Sequence, residues 1–222
     1  MESVLITGSS KGLGASLALV FAANGYNIIL HGRDKPRLDL VRKLVEEKGA
    51  ESLLVYGDIR EQSTREQLRD VAINYNLSVL INNAGVSGNK VDKKLESISE
   101  EEISEIIDTN LLAPIYLTKI IYPIFKLHGS GTIININSMM GIKSSGIRSI
   151  YCSSKWGLKG FSESLVDEFK KDNIRMIDIY PGRININPIF PFEIKPDDIA
   201  KIIYNCYSNT NQNKLIFGDK EK

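Results

Sequence analysis

Tyr151 and Lys155 stand four residues apart in YCSSKWGLKG, residues 151–160, a stretch that reads as the start of a helix. Side chains at that spacing lie one turn apart on the same helix face, so the ammonium can sit beside the phenol. Such a pair can act as a proton donor with an electrostatic helper, or it can be ordinary helix surface. A second stretch, TGSSKGLG at residues 7–14, offers chemistry of another kind. Gly8 can make a tight turn, Gly12 lets backbone approach a diphosphate with no Cβ between, and Gly14 lets a helix pack closely on a strand. The amides of a helix opening there would face the anion. A glycine triplet can also be only a flexible turn; its position straight after a strand pattern and before a helical one favours a dinucleotide ligand.

The elements that must position these residues are legible as an alternation. Short β-branched runs occur at 4–7, 27–30, 52–56, 78–82, 132–137, 174–180 and 214–217. Between them lie segments with apolar residues at three-to-four spacing: 14–24, 37–48, 66–75, a long one from Ser99 to Lys126, 154–171 and 197–208. This order implies right-handed β-α-β crossovers and a seven-stranded parallel sheet with helices on both faces, a doubly wound α/β fold. Near-continuous apolar strands suit a sheet buried on both sides. Pro114 inside the long fourth helix removes a backbone hydrogen bond and is expected to kink it. Ser99 with Glu102 makes a capping box for its start, after the polar loop 88–101. With no linker-like or repetitive tract, residues 1–222 are expected to fold as one unit.

Composition excludes several classes. The 222 residues are 42% hydrophobic and 25% charged with a formal net charge of +1, so no broad basic field is offered to nucleic acid or to an acidic membrane. Cys152 and Cys206 are too few for a disulfide framework and lack the paired spacing of a metal site, so two buried thiols are expected and no metal. The first residues lack a signal-peptide pattern and no apolar run reaches spanning length, which argues for a cytoplasmic protein. His31 and His128 fall at a strand end and a helix end, away from Cys152 and Ser153, which disfavours a Ser/His/Asp hydrolase.

After the second strand the sequence runs HGRD. A carboxylate there would grip the ribose 2′-hydroxyl of NAD; Gly32 stands near that place instead, and Arg33 follows. An arginine fork suits a 2′-phosphate, and Lys11 in the glycine turn can add a second cation, so NADP(H) is favoured over NAD(H). Asp34 reads as the N-cap of the next helix, with Pro36 in its first turn. If Asp34 reached the ribose instead, that preference would weaken.

TGSSKGLG, NNAG at 82–85, Asn110, Ser138, YCSSK at 151–155 and PG at 181–182 stand in the order and spacing of the short-chain dehydrogenase/reductases. The chain resembles that family over most of its length, and in particular its NADP-preferring 3-oxoacyl and carbonyl reductases. The resemblance implies a Rossmann fold and hydride transfer between a nicotinamide and a carbonyl or alcohol carbon. It makes Tyr151 the proton donor in reduction and the base in reverse. Lys155 would favour the phenolate and hold the nicotinamide ribose. Ser138 would donate to the substrate oxygen, and Asn110 would hold a water passing protons toward Lys155. It assigns to the cofactor Ser10 and Leu13 along with Gly8, Lys11, Gly12 and Gly14. Arg33, Asp58 and Ile59 would meet the adenosine end; Asn83, Ala84, Gly85, Tyr151, Lys155, Pro181, Gly182 and Ile184 complete the surface.

The chain departs from the family after PG, where Ile186 replaces an expected Thr, so the carboxamide contact must come from backbone amides near Ile184 and Ile186. The substrate loop, near 183–195, is short. Met139, Met140, Ile142, Ile186, Phe190 and Phe192 are candidates for an apolar wall, with Ser138, Met140, Tyr151 and Ile186 against the substrate; such residues can equally be core. The resemblance further implies a homodimer or homotetramer through the fourth helix and the Tyr151 helix, where Trp156, Phe161 and Leu165 could serve; they could also pack on the sheet. The partner expected is a small carbonyl or alcohol, with no nucleic acid and no membrane. The alternative is a silent NADP(H)-sensing binding protein.

Overall fold

The computed structural model describes residues 1–87, 94–144, 146, 148–182, 194–209 and 213–217. All the expected strands form: β1 (Ser3–Ile6), β2 (Asn27–Gly32), β3 (Ser52–Tyr56), β4 (Leu77–Asn82), β5 (Gly131–Ile136), β6 (Ile174–Pro181) and β7 (Lys214–Phe217). They pair in parallel in the order β3-β2-β1-β4-β5-β6-β7. Because β1 lies between β2 and β4, the chain winds outward in both directions from it and leaves a crevice at the carboxyl ends of β1 and β4. The helices are α1 (Gly12–Ala23), α2 (Lys35–Glu46), α3 (Gln62–Asn74), α4 (Glu100–Ile107), α5 (Ala113–His128), α6 (Ser149–Lys171) and α7 (Pro196–Ser208). Among the described residues no helix is long and apolar enough to cross a membrane.

Alternation along each strand divides the core. Val4, Ile6, Ile28, Leu30, Ile177 and Ile179 face α1, α2 and α7, while Leu5, Ile29, Leu80 and Ile133 face α3, α5 and α6. Phe21 on the first face and Phe125 on the second are fully buried, each adding about 2–3 kcal/mol of apolar burial. The N-terminus of α7 is fastened to α1 by the Ser16 hydroxyl, which donates to Asp197 at 2.5 Å.

The long fourth helix is not continuous. α4 and α5 are joined by a wider turn of π-helical geometry at Asp108–Leu112. Pro114 has no N–H for the carbonyl of residue 110, four positions back, and sits instead in the first turn of α5, where that donor is not needed. The expected kink is therefore an inserted residue, a feature that recurs at functional sites. The expected cap at Ser99 is present, with its side chain accepting from the Glu102 amide at 3.3 Å.

The second face carries a polar layer that the hydrophobic pattern does not announce. Asn82, Asn135 and Asp178 are neighbours in register on β4, β5 and β6. Asn82 donates to Asn135 at 2.8 Å, Asn135 to the Ser162 hydroxyl at 2.8 Å, and Ser162 to Asp178 at 2.8 Å. The Ser162 oxygen is also 3.0 Å from the Leu158 carbonyl, so its one proton has two acceptors to serve. Below about pH 6 a protonated Asp178 relieves that shortage by donating back, and above it the carboxylate accepts from Ser162 and Tyr180. Burial pushes the Asp178 carboxyl up to about 6, against the lowering effect of Ser162 and Tyr180. An acid whose folded pKa lies above its unfolded value binds more protons when folded, so stability falls as pH rises from about 4 to about 6. Asp178→Asn should flatten the pH dependence of the melting temperature across that window, as thermal unfolding in buffers from pH 4 to 7 would measure.

Candidate active site

The glycine turn is shaped by contacts that only a missing Cβ allows. Gly8 has φ +67°, and a Cβ there would lie 2.9 Å from the Ala84 Cα. A Cβ on Gly14 would lie 2.3 Å from the Gly8 carbonyl oxygen and 2.6 Å from the Asn83 amide nitrogen. Gly14 thus keeps room for the turn's own backbone rather than chiefly for helix against strand. Thr7 and Asn83 lock the shape. The Thr7 hydroxyl accepts from the amides of Asn83 and Ala84 at 2.9 and 3.0 Å, and the Asn83 side chain donates to the carbonyls of Thr7 and Gly8 at 2.8 and 3.1 Å. His31 lies buried beneath; its Nδ1 accepts from the Gly8 amide at 3.4 Å, and burial lowers its pKa to about 4, so the ring is neutral.

Along this turn runs a cleft of about 770 Å³. Its lining brings together Gly8, Ser10, Lys11, Gly12, Leu13 and Gly14 with Arg33, Asp58 and Ile59, and with Asn83, Ala84 and Gly85 from the end of β4. Every one of these was expected at a cofactor. The lining also includes Arg37, Val86, Thr109 and Pro196, which the sequence reading missed. Arg37 lies four residues after Arg33 on α2, a spacing that could have drawn attention to it. Thr109 and Pro196 carry no local signal; only the tertiary fold delivers them.

Three cationic side chains line the cleft. They are Lys11, Arg33 and Arg37, and Asp34 does serve as the cap of α2, accepting from the Arg37 amide at 3.2 Å and pairing with that guanidinium at 3.3 Å. Asp58 is held by Arg60, whose hydrogen bonds bring its pKa down to about 2, and more loosely by Arg33 at 3.4 Å. A strand-to-helix turn that a Cβ would obstruct, followed by guanidinium and ammonium groups, fits the diphosphate and 2′-phosphate of a dinucleotide.

The second cluster sits at the carboxyl ends of β5 and β6. Ser138 follows β5; its amide donates to Asn137 Oδ1 at 2.9 Å and its hydroxyl accepts from the Met140 amide at 3.2 Å. Tyr151 lies in the first turn of α6, with its pKa raised by burial and lowered in smaller measure by a hydrogen bond with Ser138 and by the charge of Arg148. Lys155, one turn on, is only 5% exposed. Its ammonium lies 5.9 Å from the Tyr151 ring centre and donates to the Ile136 carbonyl at 2.9 Å. Burial lowers its pKa to about 8, and Asp178 opposes that shift. The Tyr/Lys pair thus shares a face as its spacing implies, but the nitrogen is directed at the strand end rather than at the phenol oxygen.

Asn110 occupies the π turn, 1% exposed. Its side-chain amide is spent on structure: Oδ1 accepts from the Val86 amide at 2.8 Å, and Nδ2 donates to the Val86 carbonyl at 2.7 Å and to Ser154 at 3.2 Å. What it can offer a water is its backbone carbonyl, to which Pro114 gives no N–H. Pro181 ends β6, and the Gly182 amide donates to the Phe217 carbonyl at 2.8 Å. Met139 is buried as core, whereas Met140 and Ile142 are half-buried beside Ser138. Ile184, Ile186, Phe190 and Phe192 lie outside the described residues. Trp156 is exposed on α6, and Leu165 packs into the second core face.

A parallel sheet whose winding reverses at β1, with a glycine turn at the reversal and a Tyr/Lys helix beside it, defines a dinucleotide-binding fold of the Rossmann kind. A family model described as short chain dehydrogenase matches residues 2–190, and the chain belongs to this family of oxidoreductases. It is 34% identical over 189 residues to the 3-oxoacyl-acyl-carrier-protein reductase FabG of Chlamydia trachomatis serovar D, covering 83% of this chain and 74% of the relative. Among solved structures, the alcohol dehydrogenase of the archaeon Thermococcus sibiricus, complexed with 5-hydroxy-NADP, superposes with a TM-score of 0.90 at 25% identity over 100% of both chains. A metagenomic short-chain oxidoreductase in complex with NADP gives 0.86 at 27% identity, over 97% of this chain and 96% of that one.

The contact at Gly14 decides the sign of a substitution. Alanine ordinarily gains about 1 kcal/mol over glycine inside a helix. Here the new carbon meets a backbone carbonyl that cannot swing aside, and overpacking of this kind costs about 1–3 kcal/mol. Gly14→Ala should therefore lower stability in urea unfolding.

Proposed function

We propose that the chain is an NADP(H)-dependent reductase of small carbonyl compounds. The observation that carries this reading is the juxtaposition of Ser138 with a half-buried Tyr151 whose pKa is raised and with Lys155, beside a sheet whose cleft is lined by Lys11, Arg33 and Arg37. The similarity to a 3-oxoacyl reductase and to NADP-bound oxidoreductases supports it.

A bound reduced nicotinamide supplies a hydride. The chain's own residues manage the oxygen on which the displaced electron pair settles. Ser138 donates a hydrogen bond to the substrate carbonyl, holding it for attack and stabilising the developing alkoxide. Tyr151 then gives its phenolic proton to that oxygen. A phenol with a raised pKa keeps its proton at neutral pH, which suits the acid of a reduction; the resulting phenolate is stabilised by Ser138 and by the positive charge of Lys155. The lost proton returns from solvent by way of Lys155 and a water on the Asn110 carbonyl. In alcohol oxidation the same steps run backwards, with the Tyr151 phenolate as base.

Met140 and Ile142 beside Ser138 give the substrate an apolar flank. The chain is proposed to work in the cytoplasm as a homodimer or homotetramer, using the exposed Tyr116 of α5 and Trp156 of α6.

Removal of the proton donor is the direct test. Tyr151→Phe should reduce NADPH-dependent turnover of responsive ketones by about 10²–10⁴-fold while NADPH binding, followed by fluorescence, stays within twofold of wild type. Turnover retained in this variant would contradict the assignment.

A further inference from the structure

Asp58 and Arg33 follow adjacent strands, β3 and β2, and both line the cleft. Their contact is loose: one guanidinium nitrogen reaches Asp58 Oδ2 at 3.4 Å, and the Arg33 side chain is 61% exposed. Arg60 grips the same carboxylate far more completely. Its Nε lies 3.1 Å from both oxygens, its Nη2 lies 2.7 Å from Oδ2, and its backbone amide donates to Oδ1 at 3.0 Å. The fork geometry satisfies Asp58 with little help from Arg33. Arg60 is in turn drawn toward Glu105 and Asp108. It does not line the cleft.

Asp58 is a fixed negative charge at the place where a 2′-phosphate would bring more of the same sign, and NADH carries no charge there. Unmasked, this carboxylate would repel the phosphate and would also pull Arg33 into a two-point pair of its own. Both effects penalise NADPH and leave NADH nearly unaffected. Asp58 stays ionised throughout the working pH range, since Arg60 and Arg33 hold its pKa near 2.

We propose that Arg60 is a specificity-determining residue that acts without touching the cofactor: by occupying Asp58 it releases Arg33 to the 2′-phosphate. This rests on the dinucleotide reading given above. Arg60 therefore acts through two other side chains, and its signature is the ratio of two affinities rather than the affinity for either cofactor.

The experiment is a titration of the full chain with NADPH and with NADH, following cofactor fluorescence, for wild type, Arg60→Gln, Arg60→Lys and the double variant Arg60→Gln/Asp58→Asn. Arg60→Gln should weaken NADPH about tenfold and NADH less than twofold, the difference shrinking at high salt as charge effects are screened. Arg60→Lys, which keeps the charge but not the fork, should fall between. In the double variant the NADPH-to-NADH ratio should return to that of wild type, because any contact that Asp58 makes with the adenosine end is common to both cofactors. An unchanged ratio in Arg60→Gln overturns the proposal. A reduced ratio that Asp58→Asn fails to restore also overturns it, since Arg60 would then meet the phosphate directly. Wild-type protein that binds neither cofactor overturns the dinucleotide reading itself, an outcome distinct from both.

Discussion

A buried ammonium is the constraint around which this molecule is arranged. Lys155 lies almost wholly out of water, and an ion in that position costs several kcal/mol unless its surroundings replace the lost hydration. The Ile136 carbonyl supplies one hydrogen bond, and Asp178 supplies the opposing charge. That carboxylate is itself buried and in turn needs Ser162 and Tyr180, and Ser162 brings Asn135 and Asn82 after it. The polar seam across β4, β5 and β6 follows from one cation. Asn137 joins the seam to the site, accepting from the Ser138 amide and donating to the Lys155 carbonyl at 3.2 Å. The residue that fixes Ser138 relative to α6 is therefore neither an acid nor a base.

The other end of the crevice solves a different problem with the same economy of contacts. On the proposed reading an anion there would be bound by backbone amides and by cations that must remain available to it, which calls for a rigid turn and loosely held cations. Thr7 and Asn83 supply the rigidity through four hydrogen bonds to backbone atoms. Asp34 and Asp58 hold two of the three cations that line the cleft, Arg37 at 3.3 Å and Arg33 at 3.4 Å, with both guanidinium groups on largely exposed side chains. Surface pairs of this geometry contribute about 1 kcal/mol or less, so a phosphate can displace them readily.

The strands were legible because each is a short apolar run between turn-forming residues, and a parallel sheet buried on both faces leaves little else for such runs to do. The glycine turn and the Tyr/Lys pair were legible for a related reason: their function depends on spacing along the chain. The division of the fourth helix into α4 and α5 was only half legible. Pro114 marks the loss of a hydrogen bond, but whether the helix answers with a kink or with an inserted residue depends on Asn110 reaching Val86 and Ser154, contacts far away in sequence. Thr109, Arg37 and Pro196 in the cleft, and Arg60 behind Asp58, were missed because they arrive there by folding alone. The same holds for the direction of the Lys155 ammonium, since nothing in a four-residue spacing says that a strand carbonyl will compete for it.

The opposed shifts of Tyr151 and Lys155 have a common origin. Burial disfavours the charged form of each, raising the phenol and lowering the ammonium, so the apolar environment by itself would leave both groups neutral. Asp178 offsets this for the lysine, and Ser138 with Arg148 does so for the tyrosine. Below about pH 8 the outcome is a neutral phenol beside a charged ammonium, the protonation state that the proposed reduction would use. Above it Lys155 loses its charge, and a phenolate at Tyr151 becomes harder to form. The seam that holds Asp178 thus favours the charged form of Lys155, and on the reading proposed above it would support proton transfer from Tyr151.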